Sequence, residues 1–304
     1  MPICEIDPWR TQYFARVRCP DDIFIPTEDS DAWTWNPAHR WVYDKLMVAM
    51  SQGLAAAPHG VSPTHYPVFS KPIYNLKGMG VGSLRLNSEA DYVAAYRPGH
   101  FWSTLLDGDH VSSDLVVIDG EPKWWRHAHG VTAVAGTFDY WEIRREPEPA
   151  IEEWCGAWCR KHLHGYSGMV NLETIGARII EGHLRFADQW PDLYGGDRWV
   201  EALVRLYETG DWVFDDSDRR TGFSVVLFAA HGRRYSHPGK DLQQQIAAMR
   251  GVSSLQITFH ESLPPERHAM PPGGFRVAII NCWDRAAGNA ARERLRLHFD
   301  EMSR

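Results

Sequence analysis

Asp119-Gly120 stands between two runs of β-prone residues, Val111 to Ile118 and Pro122 to His127, and this pattern narrows the possible folds most. A two-residue turn of this kind needs left-handed backbone at its centre, which Asp and Gly tolerate, and it joins neighbouring antiparallel strands. A second hairpin is expected over residues 168 to 185, pivoting near Gly176. Helical spacing recurs around them. One helix is expected from Asn36-Pro37 to Gly53 through Trp41, Lys45, Leu46, Met47 and Met50, with others at 88–96, 147–164, Arg198 to Tyr207, 240–250 and Ala286 to about Met302. Hairpins interleaved with helices make an α+β chain.

The charge balance narrows the function. Among 304 residues, 32 are basic and 39 acidic, for a net charge of -7, and no Lys/Arg block exists to displace counterions from a nucleic-acid backbone. No apolar run is long enough to cross a bilayer, and the start lacks a basic segment followed by an apolar one, so neither a membrane span nor a signal peptide is expected. Five scattered cysteines, an odd number, make no disulfide framework; reduced thiols in a cytoplasm are expected.

Two stretches carry candidate chemistry. In the first, the strand Val68-Phe69-Ser70-Lys71 is followed by a loop with Gly78, Gly80 and Gly82. A lysine leaving a strand supplies a fixed charge, and glycines let backbone N–H groups approach an anion; the same glycines also suit a plain turn. In the second, strand alternation puts Asn171 and Glu173 on one face of the 168–173 strand and Glu181, His183 and Arg185 on one face of its partner. Either a divalent cation lies between the carboxylates, or this is the solvent-facing side of a sheet with Arg185 neutralising one glutamate.

Taken in order, these segments resemble the ATP-grasp superfamily. Tyr43-Asp44-Lys45 and the helix running to Gly53-Leu54-Ala55-Ala56-Ala57-Pro58 are similar to its first-lysine segment, and Tyr66 to Pro72 to its second-lysine strand. Gly78-Met79-Gly80 resembles the phosphate loop, Leu105 to Val111 the adenine hinge and ribose strand of biotin carboxylase, and 168–185 the metal hairpin of carbamoyl phosphate synthetase. The resemblance spans roughly residues 40 to 186 and implies two α+β lobes whose antiparallel sheets enclose a nucleotide cleft. On that basis residues 1–35 are expected to form an N-terminal arm, 36–100 the smaller lobe and 101–304 the larger lobe with a C-terminal extension.

The resemblance also implies roles. Lys45, Lys71, Lys77, Gly78, Met79, Gly80 and Gly82 would hold the phosphates of ATP; Thr104, Leu106 and His110 would meet the adenine and ribose; Asn171, Glu173, Glu181 and His183 would hold Mg or Mn; Arg185, with Lys71, would steady an acylphosphate. The implied activity is ligation of a small-molecule carboxylate to an amine or thiol, the alternative being a degenerate scaffold that binds nucleotide or a partner without catalysis. Only an arm precedes Lys45, so either the C-terminal third, including Gly273, Gly274 and Arg276, completes the substrate wall, or a homodimer mate or partner chain does.

Two other clusters stand outside this resemblance. Cys155, Cys159, His162 and His164 have metal-ligand spacing, but with Ile151, Trp154 and Trp158 they mark one apolar helix face, so packing is expected there. Trp124-Trp125-Arg126-His127, with His129, forms either a pocket wall with an anion-gripping Arg126 or a stacked aromatic cluster.

Overall fold

The computed structural model describes residues 3–5, 7–75, 80–134, 136–264 and 271–302. The chain opens with β1 (Ile3–Cys4), α1 (Pro8–Thr11), β2 (Ile25–Pro26) and α2 (Asp29–Trp35). After a 3-10 turn at Arg40–Tyr43 come α3 (Lys45–Ser51), β3 (Ala56–Pro58), β4 (Val68–Pro72), β5 (Leu84–Leu86), α4 (Glu89–Ala94) and β6 (His100–Thr104). The middle of the chain supplies β7 (His110–Ile118), β8 (Glu121–Thr132), β9 (Phe138–Arg144), α5 (Pro149–His162), β10 (Gly168–Ile175) and β11 (Arg178–His183). The last third forms α6 (Asp197–Thr209), β12 (Gly222–Ala229), α7 (Lys240–Ala247), β13 (Val252–Ile257), β14 (Phe275–Cys282) and α8 (Arg285–Met302).

These elements form two compact units: Pro26–Trp125 with Pro147–Phe186, and Met1–Ile25 with Arg126–Glu146 and Ala187–Arg304. The unit containing Pro26–Trp125 carries two antiparallel sheets. One has the order β3-β6-β4-β5, with Lys71 opposite Phe101. In the other, β11, β10 and β7 lie side by side and β7 continues into the first residues of β8. Strand parity divides this second sheet. Val111, Leu115, Val117, Val170, Leu172 and Ile179 join a core that also takes Val42, Val48 and the Ile151, Cys155, Trp158 and Cys159 face of α5. The expected packing role of those cysteines is what is found, and burial pushes the Cys155 thiol up to about 12. The residues of opposite parity carry the polar groups described below.

In the other unit, β9, β12, β14 and β13 follow one another in the sheet, with α8 against β12 and β14 and α7 against β13. Its core gathers Val225, Val277, Ile280, Ala291, Leu295 and Phe299. The N-terminal segment docks through Tyr13, whose hydroxyl bonds Ser254 (2.9 Å) and accepts from Gln256 (2.7 Å). Arg126 is buried in this unit, where it donates to the carbonyl of Arg220 (2.6 Å), faces Asp216 at 3.5 Å and lies over the Tyr194 ring. These contacts engage Arg126 with side chains and backbone of its own unit.

The expected helix from Asn36 to Gly53 is broken. Asp44 has extended backbone and its side chain accepts from the Met47 N–H at 2.9 Å, so the α-helix starts afresh at Lys45. Spacing marks neither helix α2 nor strands β9 and β12; β12, Gly222–Ala229, is apolar without alternation only from Val225 onward.

Candidate active site

The polar face of the β11-β10-β7 sheet is built by register. Asn171 lies opposite His183 on one side and Asp114 on the other; Glu173 lies opposite Glu181 and Ser112. A two-residue turn at Gly176-Ala177, both with left-handed φ (55° and 60°), sets this pairing, and a bulge after Glu173 adjusts it. Gly182 on the opposite face allows the close approach of Val42, whose side chain would lie 2.6 Å from an added Cβ.

This face is buried in part: the side chains of Glu173, His110 and Glu181 keep 27 %, 22 % and 15 % exposure. Asp114 is 1 % exposed, Asn171 2 % and His183 4 %, so the face is not a plain solvent-facing sheet surface. Asn171 donates its amide to Ser112 (2.9 Å) and Asp114 (2.7 Å). His110 Nε2 lies 2.9 Å from Glu173. Burial alone would raise the Glu173 pKa and lower that of His110, but their hydrogen bond overrides both: the carboxyl is held below its usual range and the imidazole above.

Two lysines reach the same cluster. Lys45, the first residue of α3, is buried with its Nζ 2.8 Å from Glu181, and Lys71 on β4 donates to the Ile180 carbonyl at 2.7 Å. Burial first, and Lys45 second, bring the Lys71 pKa down to about 8. Lys71 is thus a cation whose hydrogen-bond partner is a neutral oxygen.

Arg185 does not serve Glu181, and this corrects the charge assignment drawn from spacing. Its guanidinium grips Asp29 on α2, with Nε at 2.8 Å and Nη2 at 3.0 Å. His183 Nδ1 shares the same carboxylate at 3.0 Å, while its Nε2 lies 3.7 Å from Glu181. Burial would raise the Asp29 pKa, yet Arg185 and His183 hold it far below the carboxylate range. Burial likewise opposes protonation of His183, and Asp29 carries its pKa above the ordinary value. Tyr43 closes the cluster by accepting the Leu184 N–H at 3.1 Å.

The structure therefore brings together Lys45, Lys71, His110, Asn171, Glu173, Glu181, His183 and Arg185. Thr104 sits at the end of β6 opposite Val68, bonded to the Ala55 carbonyl, and Leu106 lies half-buried on the loop before β7. Gly80 and Gly82 have left-handed φ (60° and 83°), whereas Lys77, Gly78 and Met79 lie outside the described residues. Gly274 and Arg276 belong to the unit that contains the C-terminal elements. Sequence reasoning missed Ser112, Asp114 and Asp29. The first two were legible as polar residues at period two inside an apolar strand; Asp29 carried no signal.

No protein-family model matches this chain, and neither does any curated protein sequence. Solved structures do. An L-amino acid ligase from Bacillus licheniformis superposes with a TM-score of 0.58 at 10% identity, over 97% of this chain and 82% of that one. A carboxyaminoimidazole ribonucleotide synthase from Aspergillus clavatus, complexed with ATP, gives 0.60 at 12% identity over 87% and 75%. A phosphoribosylamine–glycine ligase from Thermotoga maritima gives 0.57 at 13% identity over 97% and 85%. At these identities the likeness is one of fold.

Proposed function

We propose that this chain, which has the ATP-grasp fold, is an ATP-dependent ligase that activates a small-molecule carboxylate for attack by an amine or thiol. The observation that carries the reading is the partly buried polar face, where Glu173 and Glu181 stand opposite each other beside two lysines. Carboxylates are buried side by side only where counter-charge is available. Here Lys45 and His110 provide it in the free protein, and among the described residues Lys71 has no anionic partner in hydrogen-bond contact.

The lysines fit the phosphates that the fold implies, whereas the carboxylates of the hairpin do not converge on one ion in the free protein: among the described residues, three metal-ligating side chains come within reach of a single ion only at Glu5, Asp7 and Glu28. Lys71, bonded to a neutral carbonyl, suits a phosphate oxygen, with Lys45 beside it. Glu173, Glu181, His183 and Asn171 offer the mixed oxygen and nitrogen donors that suit Mg or Mn, and a histidine among them favours Mn. ATP supplies the phosphoryl group that makes a carboxylate an acylphosphate, and the metal neutralises phosphate charge. Lys45 and Lys71 orient the phosphates, and the hairpin fixes the carboxylates before substrate arrives, so little reorganisation is left for the reaction. Arg185 then acts with its guanidinium anchored by Asp29.

The test is release of ADP and phosphate across a panel of amino and keto acids, with hydroxylamine trapping the activated acyl group. Glu181→Gln and Lys71→Ala are expected to abolish release in folded protein. Equal release by wild type and both variants, or no nucleotide-induced stabilisation at millimolar ATP with Mg or Mn, would assign the chain to the non-catalytic scaffold reading.

A further inference from the structure

Ile179 and Glu181 have the same parity along β11, yet Ile179 is buried in the apolar core while Glu181 stands opposite Glu173 on the polar side. A bulge is the reason. Thr174 pairs with Ile179 and Glu173 with Glu181, so Ile180 has no partner on β10. A bulge leaves its extra residue out of the ladder and re-aims the side chains that follow. Here the freed carbonyl of Ile180 takes Lys71 Nζ at 2.7 Å, and Glu181 takes Lys45 Nζ at 2.8 Å. Without the bulge, a slip of one residue would turn Glu181 to the apolar face.

Strand β11 ends its sheet, and an edge strand leaves backbone groups open. Gln52 closes that edge beside the bulge. Its Oε1 accepts from the Ile179 N–H at 2.8 Å and its Nε2 donates to the Ile179 carbonyl at 2.8 Å, the pair of bonds that a neighbouring strand would make. Trp154 Nε1 donates to the same Oε1 at 3.1 Å, and Nε2 also reaches the Val48 carbonyl at 3.1 Å, so both donors and both acceptor positions of the amide are used. Gln52 directly follows α3, whose first residue is Lys45, so one short helix holds β11 at both Ile179 and Glu181.

We propose that Gln52 is a positioning residue of the nucleotide site: its amide pins the β11 bulge, and the pinned bulge presents Glu181 to Lys45 and the Ile180 carbonyl to Lys71. This rests on the ligase reading for the identity of the ligand, whereas the pinning is measured without one. A side chain lacking either a donor or an acceptor cannot replace the amide, because it leaves a backbone group of Ile179 unpaired beside the core.

The experiment uses the full chain, deuterated and labelled with 13C and 15N, and ATP without added metal as the probe. In wild type the Ile179 amide is expected to exchange as slowly as the ladder amides of β10, and the Ile180 carbonyl resonance to move in Lys71→Met, which identifies their bond. Gln52→Met should speed Ile179 exchange and weaken ATP binding, each by about tenfold, and carry the Ile180 carbonyl toward its Lys71→Met position. Ser51→Ala is the control. It removes the acceptor of Trp158 Nε1 (2.8 Å), which also costs stability, but it does not touch β11 and should change none of the three. If Gln52→Met does not fold, the same measurements are made on Gln52→Glu, which keeps the two accepted bonds and loses the two donated ones. Fast Ile179 exchange in wild type, an unmoved Ile180 carbonyl or unchanged ATP affinity in the folded Gln52 variant, or an equal response in Ser51→Ala would each overturn the proposal and leave the ligase reading intact. No ATP binding to wild type would overturn the ligase reading and this role with it.

Discussion

An ammonium group withdrawn from water beside a second cation holds its proton weakly, and Lys71 is in that position. Its folded pKa, about 8, lies below the ordinary 10.5, so the charged form costs stability. The cost is fully present below pH 8, shrinks as pH rises toward 10.5, and vanishes above that value. Lys71→Met is therefore expected to raise stability at pH 7 by on the order of 2 kcal/mol and by much less at pH 10, as read by urea unfolding at both values. The same variant should lose nucleotide binding, the exchange of stability for function common at active sites. Phosphate attraction follows the same proton: wild-type affinity for nucleotide should fall as pH rises through about 8, and calorimetry on Lys71→Arg should show no such fall.

The β10–β11 hairpin is the element on which the site depends, and its turn is tightly placed. A Cβ on Gly176 would lie 2.3 Å from the Asp107 carbonyl, and one on Gly108 would lie 2.8 Å from Gly176 itself. Left-handed backbone adds its own penalty for any other residue, about 1–2 kcal/mol. Gly53 is the natural control, since it has φ +76° but nothing within 4 Å of an added Cβ. Gly53→Ala should cost about 1 kcal/mol, and Gly176→Ala clearly more, because the loop or the hairpin must also move. Denaturant midpoints measure the difference. If the hairpin moves, Glu173 and Glu181 lose their pairing, so Gly176→Ala should also weaken metal binding where Gly53→Ala does not.

At the scale of the molecule, every described residue expected to meet ATP, the metal or the acylphosphate lies in the unit made of Pro26–Trp125 and Pro147–Phe186. Ligand binding stabilises what it binds, by about 2.7 kcal/mol at a hundredfold excess over Kd. Hydrogen exchange with ATP and Mn should therefore slow most in β4, β7, β10 and β11, and least in β12–β14. Uniform slowing, or slowing confined to β12–β14, would place the ligand elsewhere. No helix among the described residues is long and apolar enough to cross a membrane. Light scattering during turnover tests how the substrate wall is completed: an active monomer assigns it to this chain, and activity lost on dilution of a dimer assigns it to a second copy.

Local pattern was enough to determine the hairpins and the order of most helices, because turn chemistry at Asp119-Gly120 and Gly176 and the period of apolar residues act over a few neighbours. Parity alone put Asn171 and Glu173 on one face and Glu181 and His183 on the facing strand, and the register pairs them so. Even the inert role of Cys155 and Cys159 was readable from their place on an apolar helix face. The charges were not. Lys45 answers Glu181, His110 answers Glu173, and Asp29 takes both Arg185 and His183 from more than 150 residues away in the chain. Nothing in the spacing around 181–185 distinguishes Asp29 from other acids. Periodicity reports which face a side chain occupies, whereas the partner of a buried charge is whatever the packing of distant elements leaves within 3 Å of it, and only the tertiary structure decides that.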